Sequence, residues 1–253
     1  MANPILNLYR LVVPENVRLR IYKIRNPEHF RRLRSTVNPS SKGDFSLRPF
    51  DEQKCIFIHI TKTAGTSVAR SLFGHLPYHY TADEYRVIFG KHDFNQYFKF
   101  AFVRNPWDRL YSAFRYLKAG GWDEEDRAWA DVNLAEFNDF ESFVVDWVNA
   151  ENIKRHLHFW PQSSFLCDRR NRLLVDFVGR FETLQSDFEY IASKLNISAS
   201  LGRYNRNPGQ SYVDVYTDEM QSVVRRVYAR DIELLEYVFD EKSQVQALPA
   251  RRS

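Results

Sequence analysis

Short apolar runs alternate along the chain with amphipathic stretches, a pattern typical of buried parallel strands joined by helices. Residues 55–60 form the first run and predict a strand. The polar residues 61–67 follow, and then a helical pattern that includes Val68 and Leu72. This part of the chain therefore predicts a strand, a loop and a helix in succession.

The same unit recurs further along. Residues 100–103 predict a second buried strand, and Pro106 is placed to begin the helix that follows it. Residues 173–177 predict a third strand with another helix behind it. The pattern predicts an α/β fold, a single domain with a central parallel sheet flanked by helices.

Other segments are less regular. Pro77 is expected to break the first helix, and residues 83–89 predict a short helix. Residues 119–138 are acidic and predict irregular structure, after which Asp139 is placed to cap another helix. The final helix is expected to begin near Thr217. Asp231 lies on its apolar face, where we expect an arginine to pair with it.

The first loop carries groups that suit a phosphate-like anion. Lys62 supplies an ammonium, Thr66 and Ser67 supply hydroxyls, and a helix N-terminus supplies free N–H groups. An ordinary helix cap by Thr66 or Ser67 would explain the hydroxyls but not the lysine. The order differs from a nucleotide-triphosphate P-loop, because Lys62 precedes Gly65 and does not directly precede a serine or threonine.

The second loop is expected at the same edge of the sheet, since parallel strands present their carboxyl ends together. Arg104 ends the second strand, and Ser112 lies about two turns into the next helix. We expect these two side chains to bind one anion together.

Length and charge suggest how the chain is divided. With 253 residues and 44% hydrophobic content, it can bury one full core. We expect a basic N-terminal extension (1–48), a catalytic domain (49–240) and a flexible tail (241–253). Residues 1–50 contain ten lysines and arginines against three acidic residues, so the net charge of +4 is concentrated there.

Such a basic arm suits an anionic membrane face, nucleic acid or an acidic polymer, or it contacts nothing. Because aromatic residues are sparse in it, we expect no nucleic acid partner but keep peripheral membrane association open. No apolar run is long enough for a membrane span or a signal peptide. Two cysteines without metal or disulfide spacing fit a reducing compartment. We expect a cytoplasmic protein, and the oligomeric state stays open.

Metal binding is not expected. His156 and His158 form a His-x-His pair, but no cysteine, histidine or carboxylate pattern accompanies them in the sequence.

Two ordered stretches resemble the nucleotide-binding signatures of the sulfotransferases that use 3'-phosphoadenosine 5'-phosphosulfate (PAPS). They are Thr61-Lys62-Thr63-Ala64-Gly65-Thr66-Ser67 and Arg104-Asn105-Pro106-Trp107-Asp108-Arg109-Leu110-Tyr111-Ser112. The branch with the carbohydrate O-sulfotransferases is the most similar. Residues 79–82 (HYTA), 158–162 (HFWPQ) and 178–182 (VGRFE) resemble further elements of that family. Thr61 departs from the proline that usually precedes the lysine.

The resemblance implies a P-loop-kinase-like sulfotransferase fold and a donor site. Lys62 would bind the 5'-phosphosulfate together with Thr63, Ala64, Gly65, Thr66 and Ser67. Arg104 and Ser112 would bind the 3'-phosphate. Arg180 and the loop at Asn205 and Arg206 are weaker candidates for the 3'-phosphate or the adenine.

The reaction implied is in-line transfer of the sulfuryl group from PAPS to a hydroxyl of a glycan or another acceptor, releasing adenosine 3',5'-bisphosphate without a metal. Lys62 would neutralise the leaving phosphate oxygen, and His79 would take the hydroxyl proton. His92 and His158 are alternative bases, and His59 is expected in the core.

A nucleotide-dependent kinase with a degenerate P-loop is the alternative enzyme class. Residues 173–176 would then supply a strand that holds a metal through Asp176. Magnesium dependence would favour this alternative over a sulfotransferase.

Overall fold

Three parallel strands form the centre of the molecule: β1 (Cys55–Ile58), β2 (Phe98–Val103) and β3 (Phe177–Arg180). A short fourth strand, β4 (Leu248–Pro249), pairs antiparallel with β3, and the sheet order is β1-β2-β3-β4. The structure is a computed structural model. It describes residue 17, residue 21, residues 23–28, residue 31, and residues 44–202, 210–240 and 248–249.

The strands are buried on both faces, as their apolar runs predict. Phe57 on β1 lies beside Phe100 on β2, and Phe100 lies beside Phe177 on β3. The rings of Phe57 and Phe100 stack with their centroids 5.0 Å apart. The predicted α/β fold with a central parallel sheet is confirmed.

Helices cover the sheet and follow its strands in the chain. They are α1 (Arg48–Gln53), α2 (Gly65–Phe73), α3 (Ala82–Gln96), α4 (Pro106–Lys118), α5 (Glu124–Asn133), α6 (Phe140–Ser142), α7 (Gln162–Leu166), α8 (Leu184–Lys194), α9 (Asp218–Val227) and α10 (Ala229–Leu235). A π-helical turn (Phe143–Trp147) continues α6, and 3₁₀ turns lie at Asn152–Arg155, Leu157–Phe159 and Tyr212–Asp214.

The helix that follows β2 begins as predicted. The side chain of Asn105 accepts a hydrogen bond from the Trp107 N–H at 3.1 Å, and Pro106 occupies the first helical position. Asp139 likewise caps α6 by accepting from the Ser142 N–H at 2.8 Å.

Several predicted boundaries are wrong. The third strand, predicted at residues 173–177, lies at Phe177–Arg180, because Leu173 and Leu174 pair instead with the chain at Cys167 and Leu166. Gly74, with φ +69°, ends α2 before Pro77 is reached, since glycine adopts this left-handed conformation without strain. The helix predicted at 83–89 extends over Ala82–Gln96 and kinks at Gly90. The acidic segment predicted as irregular contains α5, which Asp123 caps by accepting from the Asp126 N–H at 2.9 Å.

The ends of the chain lie mostly outside the described residues. The predicted domain limits therefore stay predictions, as do the roles suggested for the basic arm and the tail. Leu47 and Phe50 are buried against the core. None of the described helices is both long and apolar enough to cross a membrane.

Candidate functional site

The loop between β1 and α2 has an unusual backbone. Lys62 and Ala64 both have positive φ values, 66° and 64°. A left-handed non-glycine residue costs on the order of 1–3 kcal/mol, and such strain concentrates at functional sites. Lys62, Ala64 and Thr66 are half-buried, whereas Thr61, Thr63 and Gly65 between them are buried. One side of the loop therefore remains accessible.

The N-terminus of α2 lies at this loop without a side-chain cap. The helix begins at Gly65, and the N-cap residue Ala64 makes no side-chain hydrogen bond. Thr66 and Ser67 lie inside the first turn and do not occupy the capping position, so the ordinary cap considered from the sequence is not formed. Thr63 uses its hydroxyl within the loop and donates to the Ile60 carbonyl at 2.9 Å. The first-turn N–H groups and the Thr66 hydroxyl remain suited to an anion.

Lys62 directs its ammonium over an aromatic ring. Its Nζ lies 3.7 Å from the centroid of the Tyr116 ring, which stands on α4. The pKa of Lys62 is lowered to about 8, chiefly by burial and then by the positive charge of Arg104. The Asp126 carboxylate raises the pKa. The ammonium is thus a desolvated cation beside the helix N-terminus.

Arg104 reaches the same loop from the end of β2. Its guanidinium binds both carboxylate oxygens of Asp108, at 2.7 and 2.8 Å, and stacks over Phe181. It also donates to the Lys62 carbonyl at 3.3 Å. Ser112 stands half-buried on α4. The structure therefore brings Arg104 to the Lys62 loop, and the i,i+4 pair with Asp108 fixes the orientation of the guanidinium.

Four histidines lie near the Lys62 loop: His59, His79, His156 and His158. His79 Nδ1 is 2.8 Å from the carbonyl oxygen of His59. Because a carbonyl only accepts, Nδ1 carries the proton and Nε2 keeps a lone pair. Burial lowers the pKa of His79 below its ordinary value, so the imidazole is neutral at pH 7. His59 is 5% exposed, as expected of a core residue, and His92 is exposed on α3.

The other two histidines share a carboxylate that the sequence did not reveal. Asp126 Oδ1 lies 3.3 Å from His156 Nε2, and Asp126 Oδ2 lies 3.6 Å from His158 Nε2. The fold thus brings a carboxylate to the His-x-His pair, although no carboxylate pattern accompanies the pair in the sequence. Asp126 lies on α5, inside the segment predicted to be irregular.

Hydrogen bonds explain this cluster better than metal ligation does. The three groups place their ligand atoms within 4.8 Å of one another. However, the His158 N–H lies 3.4 Å from His156 Nδ1, which assigns the His156 proton to Nε2, facing Asp126. Among the described residues, no group forms a hydrogen bond with the buried His158 Nδ1, whereas metal-binding histidines usually donate through their second nitrogen. The predicted absence of metal stays a prediction.

Arg109 is a further residue whose role the sequence did not indicate. It is 2% exposed, and its Nε donates to the Thr61 carbonyl at 2.9 Å. Two other bonds from the guanidinium reach Thr61 Oγ1 at 3.1 Å and the Trp160 carbonyl at 2.8 Å. The residue that replaces the usual proline is thus clamped by an arginine of the second motif.

Arg180 ends β3 at the carboxyl edge of the sheet, in register with Val103, and its predicted role in donor binding stays a prediction. It is 3% exposed, and its guanidinium donates to the Leu235 carbonyl at 2.6 Å and lies over the Tyr237 ring. These contacts give it a structural role at the end of α10. The loop that holds Asn205 and Arg206 lies outside the described residues.

Comparisons with known proteins agree with the geometry. A model of the sulfotransferase family matches residues 47–238. Carbohydrate sulfotransferase 10 of Danio rerio is 29% identical over 177 residues, which cover 56% of this chain and 47% of that protein. Carbohydrate sulfotransferase 14 of Danio rerio is 30% identical over 122 residues, covering 42% of this chain and 32% of that protein.

An uncharacterized protein of Archaeoglobus fulgidus is 30% identical over 114 residues, covering 44% of this chain and 78% of that protein. No solved structure matches significantly. The chain spans less than half the length of the two carbohydrate sulfotransferases. Since the family match covers most of the chain, including both loops and all three parallel strands, the chain belongs to the sulfotransferase family.

Proposed function

We propose that the protein transfers the sulfuryl group of PAPS to a hydroxyl of a saccharide acceptor. One observation carries the proposal: the uncapped N-terminus of α2, the Lys62 ammonium and the Arg104 guanidinium meet in one loop. These are a dipole end and two cations at the carboxyl edge of a parallel sheet, where an anionic nucleotide is expected to bind.

Lys62 and the first turn of α2 bind the 5'-phosphosulfate in this proposal. During transfer, the bond between sulfur and the bridging oxygen breaks, and negative charge accumulates on the departing phosphate oxygen. A cation and N–H groups already oriented toward that oxygen stabilise the transition state more than the ground state. Arg104 and Ser112 bind the 3'-phosphate, with Asp108 holding the guanidinium in place.

His79 acts as the base. Its bond to the His59 carbonyl leaves Nε2 free to accept the proton of the acceptor hydroxyl as the new S–O bond forms. Because burial lowers its pKa, His79 remains unprotonated at pH 7, and the acid limb of kcat is expected below pH 6.5.

The saccharide acceptor is inferred from the names of the two Danio rerio relatives. Trp160, which is half-buried next to the His158 turn, offers an aromatic surface for a sugar ring. A neutral imidazole at His79 is consistent with a hydroxyl acceptor, and the names of the relatives favour a glycan.

The structure disfavours the kinase alternative. Asp176, which would have to hold the metal, precedes β3 and so lies at the amino end of that strand. Its carboxylate accepts from the Lys99 N–H at 2.8 Å and pairs with the Lys99 ammonium. It is therefore at the edge of the sheet opposite the Lys62 loop.

Calorimetric titration tests the donor site. We expect metal-free protein to bind adenosine 3',5'-bisphosphate much more tightly than ATP or 5'-AMP. Lys62→Ala should reduce turnover by about 10²-fold or more, the loss typical of one transition-state donor. Lys91→Ala, which changes an exposed lysine on α3, is the matched control. Binding of ATP alone, restored by magnesium, would instead establish the kinase alternative.

A further inference from the structure

Asp126, which lies outside every motif of the sequence, is at the centre of a polar cluster. It is 9% exposed, on the first turn of α5. Its Oδ2 accepts from the Tyr116 hydroxyl at 2.8 Å and from the Trp122 N–H at 2.9 Å. The two imidazoles described above approach the same carboxylate. Although burial alone would raise the pKa of Asp126, the bonds from His158, Trp122 and Tyr116 hold it well below its ordinary value.

The chain is shaped to bring this carboxylate close. Gly121 has φ +66°, and a Cβ added there would lie 2.1 Å from the Asp126 Cβ. The Gly121 N–H donates to the Tyr116 carbonyl at 3.0 Å. The turn between α4 and α5 therefore packs directly against Asp126 and ties it to Tyr116.

Tyr116 connects the Asp126 carboxylate to the Lys62 loop. Its hydroxyl is held by Asp126, and the face of its ring lies 3.7 Å from Lys62 Nζ. The ring also stands edge-on to His158, with centroids 4.8 Å apart. A ring anchored at one end by a carboxylate offers a fixed, electron-rich surface to an ammonium at the other.

The charges around Lys62 make the nearby Asp126 carboxylate important for keeping the ammonium protonated. Arg104 and Arg109 both disfavour its protonated form, as does burial, and Asp126 favours it. His158 also interacts with Lys62 and is neutral at pH 7, since burial lowers its pKa to about 4. Asp126 thus supplies negative charge beside a cation that two guanidinium groups and desolvation oppose.

We propose that Asp126 is a positioning residue that anchors the Tyr116 ring under Lys62 and keeps the ammonium protonated and directed at the loop. This inference rests on the catalytic role proposed for Lys62. We assign Asp126 no direct contact with the donor or the acceptor. It acts through Tyr116 by contact and on Lys62 by charge.

The titration of Lys62 tests the inference without using turnover. We would measure the pH dependence of Lys62 acylation by acetic anhydride, quantified by peptide mass spectrometry. In Asp126→Asn, the midpoint should fall by about half to one pH unit, because a nearby opposite charge is lost. Glu125→Gln, an exposed carboxylate in the same helical turn, is the matched control and should leave the midpoint unchanged.

Two variants of Tyr116 separate anchoring from charge. Tyr116→Phe keeps the ring but loses its bond to Asp126, whereas Tyr116→Leu also removes the ring face. We expect kcat to be highest in the wild type, lower in Tyr116→Phe and lowest in Tyr116→Leu. In Asp126→Asn the alkaline limb of kcat should also move to lower pH. If Asp126→Asn does not fold, as judged by circular dichroism, Tyr116→Phe and Tyr116→Leu decide the question.

The outcomes are distinguishable from those that test the proposed function. An unchanged Lys62 midpoint in Asp126→Asn, or unchanged kcat in Tyr116→Leu, would overturn this inference. A wild-type protein that neither binds the bisphosphate nor transfers sulfate would overturn the proposed function, while the acylation midpoints would still report whether Asp126 controls Lys62.

Discussion

His59 lies between the loop glycine and the proposed base. Its ring centroid is 4.2 Å from that of His79, and its carbonyl accepts the His79 Nδ1 proton. A Cβ on Gly65 would come within 1.9 Å of His59 Cδ2. Gly65 does not have a positive φ, so the close approach of the His59 ring, and not the backbone conformation, is what requires a glycine here. The lack of a Cβ at Gly65 leaves room for the His59 ring, which in turn lies against His79.

Gly65→Ala should displace the His59 ring and destabilise the protein by about 1–3 kcal/mol, the usual cost of overpacking. We expect transfer activity to fall as well, because the displaced ring moves against His79. Urea denaturation measures the free energy of unfolding, and initial rates measure activity.

A double-mutant cycle with His59→Ala is the control. Since truncating His59 removes the colliding atoms, Gly65→Ala should cost less in that background, with a coupling of about 1–2 kcal/mol. Additive effects would contradict the steric explanation.

At the scale of elements, α10 holds α7 through a buried carboxylate. Asp231 is 0% exposed and accepts from the Gln162 and Ser163 N–H groups, at 2.6 and 2.8 Å. The sequence predicted an arginine partner, but the first turn of α7 supplies backbone donors instead. The Gln162 side chain in turn bonds the N–H and carbonyl of Arg104, at 2.9 and 2.8 Å. A helix far from the loop thus supports the backbone of Arg104.

Asp231→Ala leaves two buried N–H groups without an acceptor, so the free energy of unfolding should fall by about 2–4 kcal/mol. The affinity for adenosine 3',5'-bisphosphate should also decrease, because Gln162 loses its support. Glu233→Ala, an exposed carboxylate on the same helix, should change stability by less than about 0.5 kcal/mol. Equal losses in the two variants would refute the capping role of Asp231.

The elements that the sequence predicted well are those whose signal is local. The first two strands follow from unbroken apolar runs, and the start of α4 follows from Asn105-Pro106. The third strand was placed too early, at residues 173–177. The end of α2 was misassigned because Gly74 and Pro77 are both stop signals, and the earlier one acts first. The helix α5 was missed because only Ala130 and Asp126 are buried on it, which leaves little amphipathic pattern.

The proposed donor loop was predicted for the same local reason, since its residues are contiguous. The surrounding contacts could not be predicted, because they join residues distant in sequence. Asp126 meets His156 and His158 only after α5 packs beside the 3₁₀ turn, and Arg109 reaches Thr61 only in the folded molecule. The bond from the Arg180 guanidinium to the Leu235 carbonyl also joins residues distant in sequence, and the role predicted for Arg180 at the donor stays a prediction.

At the scale of the whole molecule, four imidazoles are held neutral within one region. Burial is the first cause that lowers the pKa of His59, His79, His156 and His158, and for His158 it does so to about 4. In the unfolded chain each would titrate near pH 6.5. Between those values the unfolded state binds more protons than the folded state, so stability must rise with pH. Asp126, with its depressed pKa, adds a loss at still lower pH.

The protein should therefore be acid-labile well above the range where most carboxylates titrate. We expect the free energy of unfolding to fall from pH 7 to pH 5, with a limiting slope of about 1.4 kcal/mol per pH unit for each neutral histidine. Urea midpoints at pH 5, 6 and 7, at constant m-value, measure it. His158→Gln should reduce the slope by up to about 1.4 kcal/mol per pH unit.

This lability also separates two causes of acid inactivation. Under the proposed function, protonation of His79 lowers kcat in protein that is still folded, whereas protonation of the His156 and His158 cluster favours unfolding. If activity falls while the urea midpoint stays constant between pH 7 and pH 5, the buried imidazoles do not control stability, and the acid limb belongs to His79 alone. If both fall together and His158→Gln separates them, stability and catalysis depend on different histidines at the same edge of the sheet.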